Sequence, residues 1–276
     1  MKSVFYLPHP VLRPYVRGYW EIESSVSPDL PLHILHGCTG RTHWVTYLND
    51  SEWACTTRRQ GAAMANYSSM LMGQMTLPMI HQLVASTHVF IVDFTPTGFQ
   101  QLWRVPASEL SGQMTPVDLV LGNGPNQFAD RLREARTFGG RVALMNARLL
   151  CQLQRSNPST DNRMEAAVRL IQEQPGQAQV WKLSKWLNCP ERTLSRRFTE
   201  AVGVSPNLYT RIHRFLLTRD WLVEHPTGNW NDLIIQAGYY DQAHLINDFR
   251  FFSGKAPLIY LADNQLTFDF MRTLAR

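Results

Sequence analysis

The chain has 276 residues, 44% of them hydrophobic, and a formal net charge of +5, which is enough for two domains with packed cores. It lacks a run of about 18 uncharged apolar residues that could span a bilayer, and the opening MKSVFYLPHPVLRPY meets Pro and Arg too early for a secretory signal, so a cytoplasmic protein with no membrane partner is expected. Four cysteines (Cys38, Cys55, Cys151, Cys189) stand far apart without a CxxC pair, which points away from a disulfide framework and from a zinc finger.

In chain order, the first 97 or so residues carry a strand bias. Tyr19–Glu23, Thr42–Leu48 and His88–Phe94 are short, aromatic and β-branched, and Gly, Pro, Asn and Asp bound them. A barrel or sandwich half is expected there. From Gly98 the apolar spacing changes to three and four, over Phe99–Val105, Gln127–Thr137 and Arg141–Arg155. The last of these carries Val142, Leu144, Met145, Leu149, Leu150 and Leu153, which fit packing within the domain or pairing with a second copy. Residues 1–155 therefore read as one domain. The polar, turn-rich Ser156–Asn162 reads as a linker, residues 163–262 as a helical domain, and 263–276 as a tail of undetermined structure.

The helical domain contains a repeat. Leu194, Phe198, Gly203, Pro206 and Tyr209 recur 51 positions later as Leu245, Phe249, Gly254, Pro257 and Tyr260. Leu and Phe four apart share one helix face, Gly ends the helix in a left-handed cap, and Pro opens the next helix. In the first copy, a helix over Val180–Leu187 meets Asn188, a residue tolerant of the left-handed turn. A second helix then starts at Pro190, with Glu191 near its positive end. This is a helix-turn-helix. At about 100° per residue, Leu194, Phe198 and Ala201 face inward while Arg192, Ser195, Arg196 and Thr199 face out. Paired arginines beside hydroxyls suit a major groove, where Arg forks onto guanine.

In the second copy Trp230–Ala237 is the support helix, Gly238 the turn and Asp241 the cap. The outward face is Ala243, Ile246, Asn247 and Arg250: two apolar groups for thymine methyls, an amide for adenine and a cation for phosphate. Asp248 beside them would repel the DNA backbone if it faced the duplex. The first helix is expected to dominate sequence reading. Between the copies, Ser205 and Pro206 open a helix that His225-Pro226 closes. Its roughly 20 residues span about 30 Å, close to the ~34 Å turn of B-DNA. Residues 163–262 hold 12 Lys/Arg against 9 Asp/Glu, so the argument for nucleic acid rests on where charges sit and not on their number.

The stretch from Val180 to Tyr260 resembles the DNA-binding domain of AraC-type transcription regulators, through LSKWLNCPERTLSRRF, GVSPNLY and AGYYDQAHLINDFRFFSGKAPLIY. The resemblance implies seven helices, two helix-turn-helix motifs and binding to a double-stranded DNA operator. Its base-reading positions fall on Arg192, Ser195 and Arg196 in the first motif and on Gln242, Ala243, Ile246 and Asn247 in the second. The family often has Arg where this chain has Asn247, and a Ser-like cap where it has Cys189; the first departure implies weaker contact by the second motif. VLRPYVRGYWEIE, GCTGRTHWVTYLND and VDFTPTGFQQLW resemble the sensory domain of a subset of these regulators. That implies a cupin-like barrel followed by helices and designates no ligand.

Other chemistry is sparse. His33, His36, Cys38 and His43 lie close in sequence, but a compact HxH and a suitably spaced carboxylate are missing, so no metal is expected. Cys189 at a helix start raises the idea of an oxidation switch; a small capping residue is the plainer role. Trp20, Trp44, Trp53, Phe90 and Phe94 fit a domain core or an apolar pocket. His81 and Asp93 complete no Ser/His/Asp or paired-carboxylate arrangement.

The expectation is thus an α+β regulator, with an amino-terminal cupin-like domain and helical extension ahead of an all-α domain of seven helices. No cofactor and no enzymatic activity are expected. A homodimer is expected, and RNA polymerase and a small-molecule effector join operator DNA as candidate partners. The alternative is a DNA-associated enzyme with a catalytic barrel and a DNA-binding tail. A third reading makes the first domain only a dimer interface.

Overall fold

The computed structural model describes residues 2–24, 32–36, 38–49, 53–57, 67–83, 86–122, 124–158, 161–225 and 228–263. At 32–36, 53–57, 79–83, 125, 126 and 263 it describes the backbone alone. The strands are β1 (Lys2–Tyr6), β2 (Val16–Ser24), β3 (Leu32–His36), β4 (His43–Tyr47), β5 (Trp53–Thr57), β6 (Ser69–Met72), β7 (Met79–Leu83), β8 (Thr87–Phe94) and β9 (Met114–Pro116). They form two antiparallel sheets, one in the order β1-β2-β8-β4-β6-β9 and one in the order β3-β7-β5.

Strand β8 (THVFIVDF) sits centrally because its β-branched and aromatic residues suit a surface covered on both sides. Its alternate residues Phe90, Val92 and Phe94 are fully buried and meet Tyr19, Trp44 and Leu71 in one core. The other face holds Ile91 and Asp93, which are also buried. The strand-rich region does not end near residue 97 as the sequence suggests. After α1 (Gly98–Trp103), β9 returns to pair with β6. Three residues, Met-Thr-Pro, are too few to show a period of two.

Helices α2 (Val117–Leu121), α3 (Gly124–Glu134) and α4 (Phe138–Ser156) follow. The Thr137 side chain caps α4 by accepting from the Gly140 amide at 3.1 Å. Val142, Met145 and Leu149 then bury their side chains in the sheet's core, so α4 packs within its own domain. Arg141 pairs with Glu21 of β2 at 2.9 Å, and the Tyr19 hydroxyl donates to Asn146 Oδ1 at 2.8 Å.

Seven helices complete the described chain: α5 (Arg163–Glu173), α6 (Val180–Trp186), α7 (Glu191–Val202), α8 (Pro206–Glu224), α9 (Trp230–Ala237), α10 (Gln242–Ser253) and α11 (Pro257–Asp263). The repeated Leu and Phe residues, Leu194, Phe198, Leu245 and Phe249, are fully buried in one core with Tyr209, Ile212 and Phe215 of α8. The glycines do what the repeat requires of them: Gly203 and Gly254 close α7 and α10 at φ 98° and 77°. Of the tail, residues 264–276 lie outside the described residues. Among the described residues no helix is long and apolar enough to cross a membrane.

Candidate nucleic-acid interface

The first motif is built from α6, a turn and α7. Asn188 supplies the left-handed turn at φ 47°. Pro190 stands one residue earlier than expected, as the cap of α7 (φ −54°, ψ 140°), because its extended ψ leaves Glu191 to open the helix. Arg192 and Arg196 are exposed, and Ser195 and Thr199 half-buried, on the side away from Leu194 and Phe198. The Arg196 guanidinium pairs with Glu200 at 2.8 Å, both side chains largely exposed. Such a pair is worth only about 0.3–0.5 kcal/mol, so it restrains Arg196 weakly until a better acceptor arrives. The Thr199 hydroxyl donates to the Ser195 carbonyl at 2.8 Å, which directs it along its own helix. Arg197 turns aside to Asp161 at 3.1 Å. A hydrogen bond from Arg163 holds the Asp161 carboxyl down at about 2.

The second motif is α9, Gly238 at φ 70°, and α10, whose first turn is capped by Asp241 accepting from the His244 amide at 2.7 Å. Gln242, Ala243, Asn247 and Arg250 are exposed. Ile246 is half-buried and packs against the core, so part of its surface is already used. Asp248 turns away from this exposed face and is buried. It accepts from Arg214 at 2.6 Å and Arg211 at 2.8 Å, both on α8. Arg214 lies over the Tyr239 ring at 4.5 Å, and burial pushes the Tyr239 phenol up to about 12. The sequence held a signal for this network: Arg211 and Arg214 interrupt the apolar face of α8, and Asp248 lies between Leu245 and Phe249.

One exposed cluster and one exposed ring beside α7 and α10 escape a sequence reading. On α6, Trp181 is 46% exposed, with the ammonium groups of Lys185 and Lys182 at 5.0 and 5.6 Å from its ring. At the second turn Tyr240 is 91% exposed. An exposed aromatic beside lysines has no helical-period signature, because surface positions leave the period unmarked.

The other candidates fall into the core or outside it. The side chains of His33, His36, Trp53 and His81 lie outside the described residues. Trp20, Trp44, Phe90 and Phe94 are core. Cys38 is fully buried, and burial pushes its thiol up to about 12, which makes it a poor thiolate donor. Among the described residues no group of three His, Cys, Asp or Glu could hold a metal. Cys189 is buried with its Sγ 3.8 Å from the Pro190 carbonyl oxygen, which removes the accessibility an oxidation switch needs.

The two halves of the chain meet beneath the first motif. Cys38 packs into the seven-helix core, and Ser111 Oγ donates to the Gly203 carbonyl at 2.5 Å. Gln101 of α1 donates to Glu165 of α5, while Arg104 ties the end of α4 to α1 through the carbonyls of Asn157 and Ser156 at 2.6 and 3.3 Å. Asp93 is surrounded by Arg41 at 3.0 Å, His43 at 3.4 Å and Arg17 at 3.5 Å. Burial alone would raise its carboxyl; the Arg41 charge, the His43 hydrogen bond and Arg17 hold it below its usual range. Close by, burial and the Arg41 charge lower His213 of α8 from 6.5 to about 4.

The comparisons with known proteins agree with this architecture. A family model described as a helix-turn-helix domain matches residues 183–263, and one described as a domain of unknown function matches residues 4–116. Among solved structures the chain is similar to ToxT from Vibrio cholerae, with 11% identity and a TM-score of 0.50 over 88% of this chain and 98% of that one. An apo, singly substituted form of ToxT from Vibrio cholerae strain SCE256 gives 10% identity and 0.50 over 88% and 97%. At such identities the likeness speaks for the fold. No curated protein sequence matches the chain significantly. Residues 183–263 thus belong to a helix-turn-helix domain, and the chain shares its fold with ToxT.

Proposed function

We propose that the protein reads a duplex operator through two successive major grooves on one DNA face and is controlled through residues 1–155, by a small molecule or by dimerisation. In this reading residues 156–162 are the linker and 163–262 the reading domain. Arg192, Ser195, Arg196 and Thr199 contact the first groove, and Gln242, Ala243, Ile246, Asn247 and Arg250 the second. The single observation that carries it is the pair of outward faces of α7 and α10, with Arg192, Arg196, Asn247 and Arg250 exposed, both packed on one helix. That helix, α8, has 19 residues, or about 28 Å at 1.5 Å per residue. This is near one turn of B-DNA, about 34 Å.

In this reading the chain acts by binding. The cytoplasm is the setting that operator binding requires, a homodimer is the expected assembly, and RNA polymerase the expected further partner. Selection of bound fragments from random DNA tests the reading. Two conserved blocks about one helical turn apart are expected in the selected fragments; fragments with a single block, or with none, overturn it.

A further inference from the structure

Outside the strands, α1, α3 and α4 enclose a cleft of about 360 Å³, at the lower end of the ~300–1,000 Å³ range of small-molecule sites. Its walls are apolar and aromatic: Trp103 from α1, Phe128 from α3, and Leu144 and Ala147 from α4. Among the described residues that line it, the charged ones are all arginines, Arg131, Arg148 and Arg155, beside the neutral Gln152. None of the three arginines has an ion-pair partner among the described residues, whereas the neighbouring Arg133 pairs with Asp130 at 3.6 Å.

Arg148 is the informative one. It is half-buried, with its guanidinium carbon 4.8 Å from the Phe128 ring centroid and 5.4 Å from that of Trp44. Stacking on two rings fixes the plane of its fork while leaving its edge N–H groups unspent. Burial makes its cation less favourable and the nearby Arg131 charge adds to that, with Cys151 acting in the opposite direction. Like charges gathered over apolar walls with no internal anion are a cost to the empty protein, and a bound anion would relieve it.

We infer that this cleft binds a small amphipathic carboxylate, its apolar body against Trp103, Phe128 and Leu144 and its carboxylate on Arg148, Arg131 and Arg155. Arginine forks match a carboxylate with two parallel hydrogen bonds, and the apolar walls exclude an anion that lacks a hydrocarbon body. The site deepens the proposed regulation and rests on that reading only for its purpose: α1, which forms one wall, also packs against α7.

Calorimetric titration of the full chain with decanoate and 4-phenylbutyrate, with their primary amides and with inorganic phosphate, tests it. The acids are expected to bind, the amides about tenfold or more weakly, and phosphate not at all. Arg131→Glu and Arg155→Glu are exposed changes expected to leave the melting temperature in place and to weaken acid binding about tenfold. A bound acid should also slow alkylation of Cys151, which is exposed and lines the cleft, read on its own peptide. Binding of amide and acid alike, binding unmoved by both substitutions, or failure of both acids to bind overturns the site. DNA binding by the same ligand-free samples is measured in parallel, so a failed ligand site and a failed regulator reading give different results.

Discussion

Helices α7 and α10 each have 12 residues, each ends in a left-handed glycine, and each packs a Leu and a Phe four apart against the same core. They are nevertheless held by different means. Helix α7 is braced by the amino-terminal half: α1 and the 3-10 turn Ala107–Leu110 pack against it, and Ser111 binds the Gly203 carbonyl. Helix α10 is held by a buried charge, Asp248, clasped by two arginines of α8. One scaffold thus occurs twice, the first copy with an outside brace and the second with an inside bolt. The amino-terminal half therefore has its most direct hold on α7.

The largest test of that contrast is Asp248→Ala. Removing one partner leaves Arg214 buried without its carboxylate, an expected loss of about 3–5 kcal/mol in urea unfolding; a loss below about 1 kcal/mol would mean the bolt carries little. Next, Arg196→Ala should cost about 1–3 kcal/mol at the operator and relax preference at one base pair. Uniform weakening on all sequences would make Arg196 a phosphate contact instead.

A second contact between the halves, His213 of α8 beside Gly40, has its own pH signature. His213 keeps a lowered proton affinity only while it is buried, so the unfolded or opened chain takes up the proton first as pH falls from 6.5 towards about 4. Asp93, lowered in the folded chain, likewise contributes above its unfolded pKa and loses that contribution as the carboxyl protonates. Melting temperature should fall across this window, and His213→Phe should flatten the part that lies above pH 4.5 or so. An unchanged slope in the variant would remove His213 from the account.

Smaller effects separate the two caps. A Cβ at Gly203 would sit 2.5 Å from Ser111 Oγ and 3.1 Å from the Ala107 carbonyl oxygen, whereas one at Gly254 meets only Pro78, at 3.3 Å. Both substitutions to Ala carry about 1–2 kcal/mol of left-handed strain. Gly203→Ala should cost more because it also pushes against the brace, and equal losses in thermal denaturation would argue that the contact gives way freely. The smallest change is Asn247→Arg, expected to tighten DNA binding slightly and to steepen its salt dependence by about one charge. An unaltered salt slope would place this face away from DNA.

Local rules carried much of the fold. Asn188, Gly203, Ser205-Pro206, Gly238 and Asp241 each mark a turn or cap whose chemistry is complete within four residues. The buried faces of α7 and α10 follow from a period of 3.6. Strands such as β6 (SMLM) and β9 (MTP) are legible only once their partners are known, because pairing and not composition defines them. The meeting of Asp93 with Arg41, and of Cys38 with α8 and its neighbours, joins positions far apart in the chain, so no periodic signal announces it. The bolt at Asp248 lay in between: its three residues are conspicuous, but only the packing of α10 on α8 shows which way the carboxylate turns.

The buried seat of Cys38 has a consequence for how the molecule is divided. The Cys38 side chain of the strand-rich half is buried in the core of the helical half. A fragment beginning at residue 163 would start life with an open socket on its floor, and the remainder would display an unseated plug. Each piece would expose greasy surface that the intact polypeptide hides, so dissection by truncation is expected to yield sticky halves where point substitution yields informative wholes.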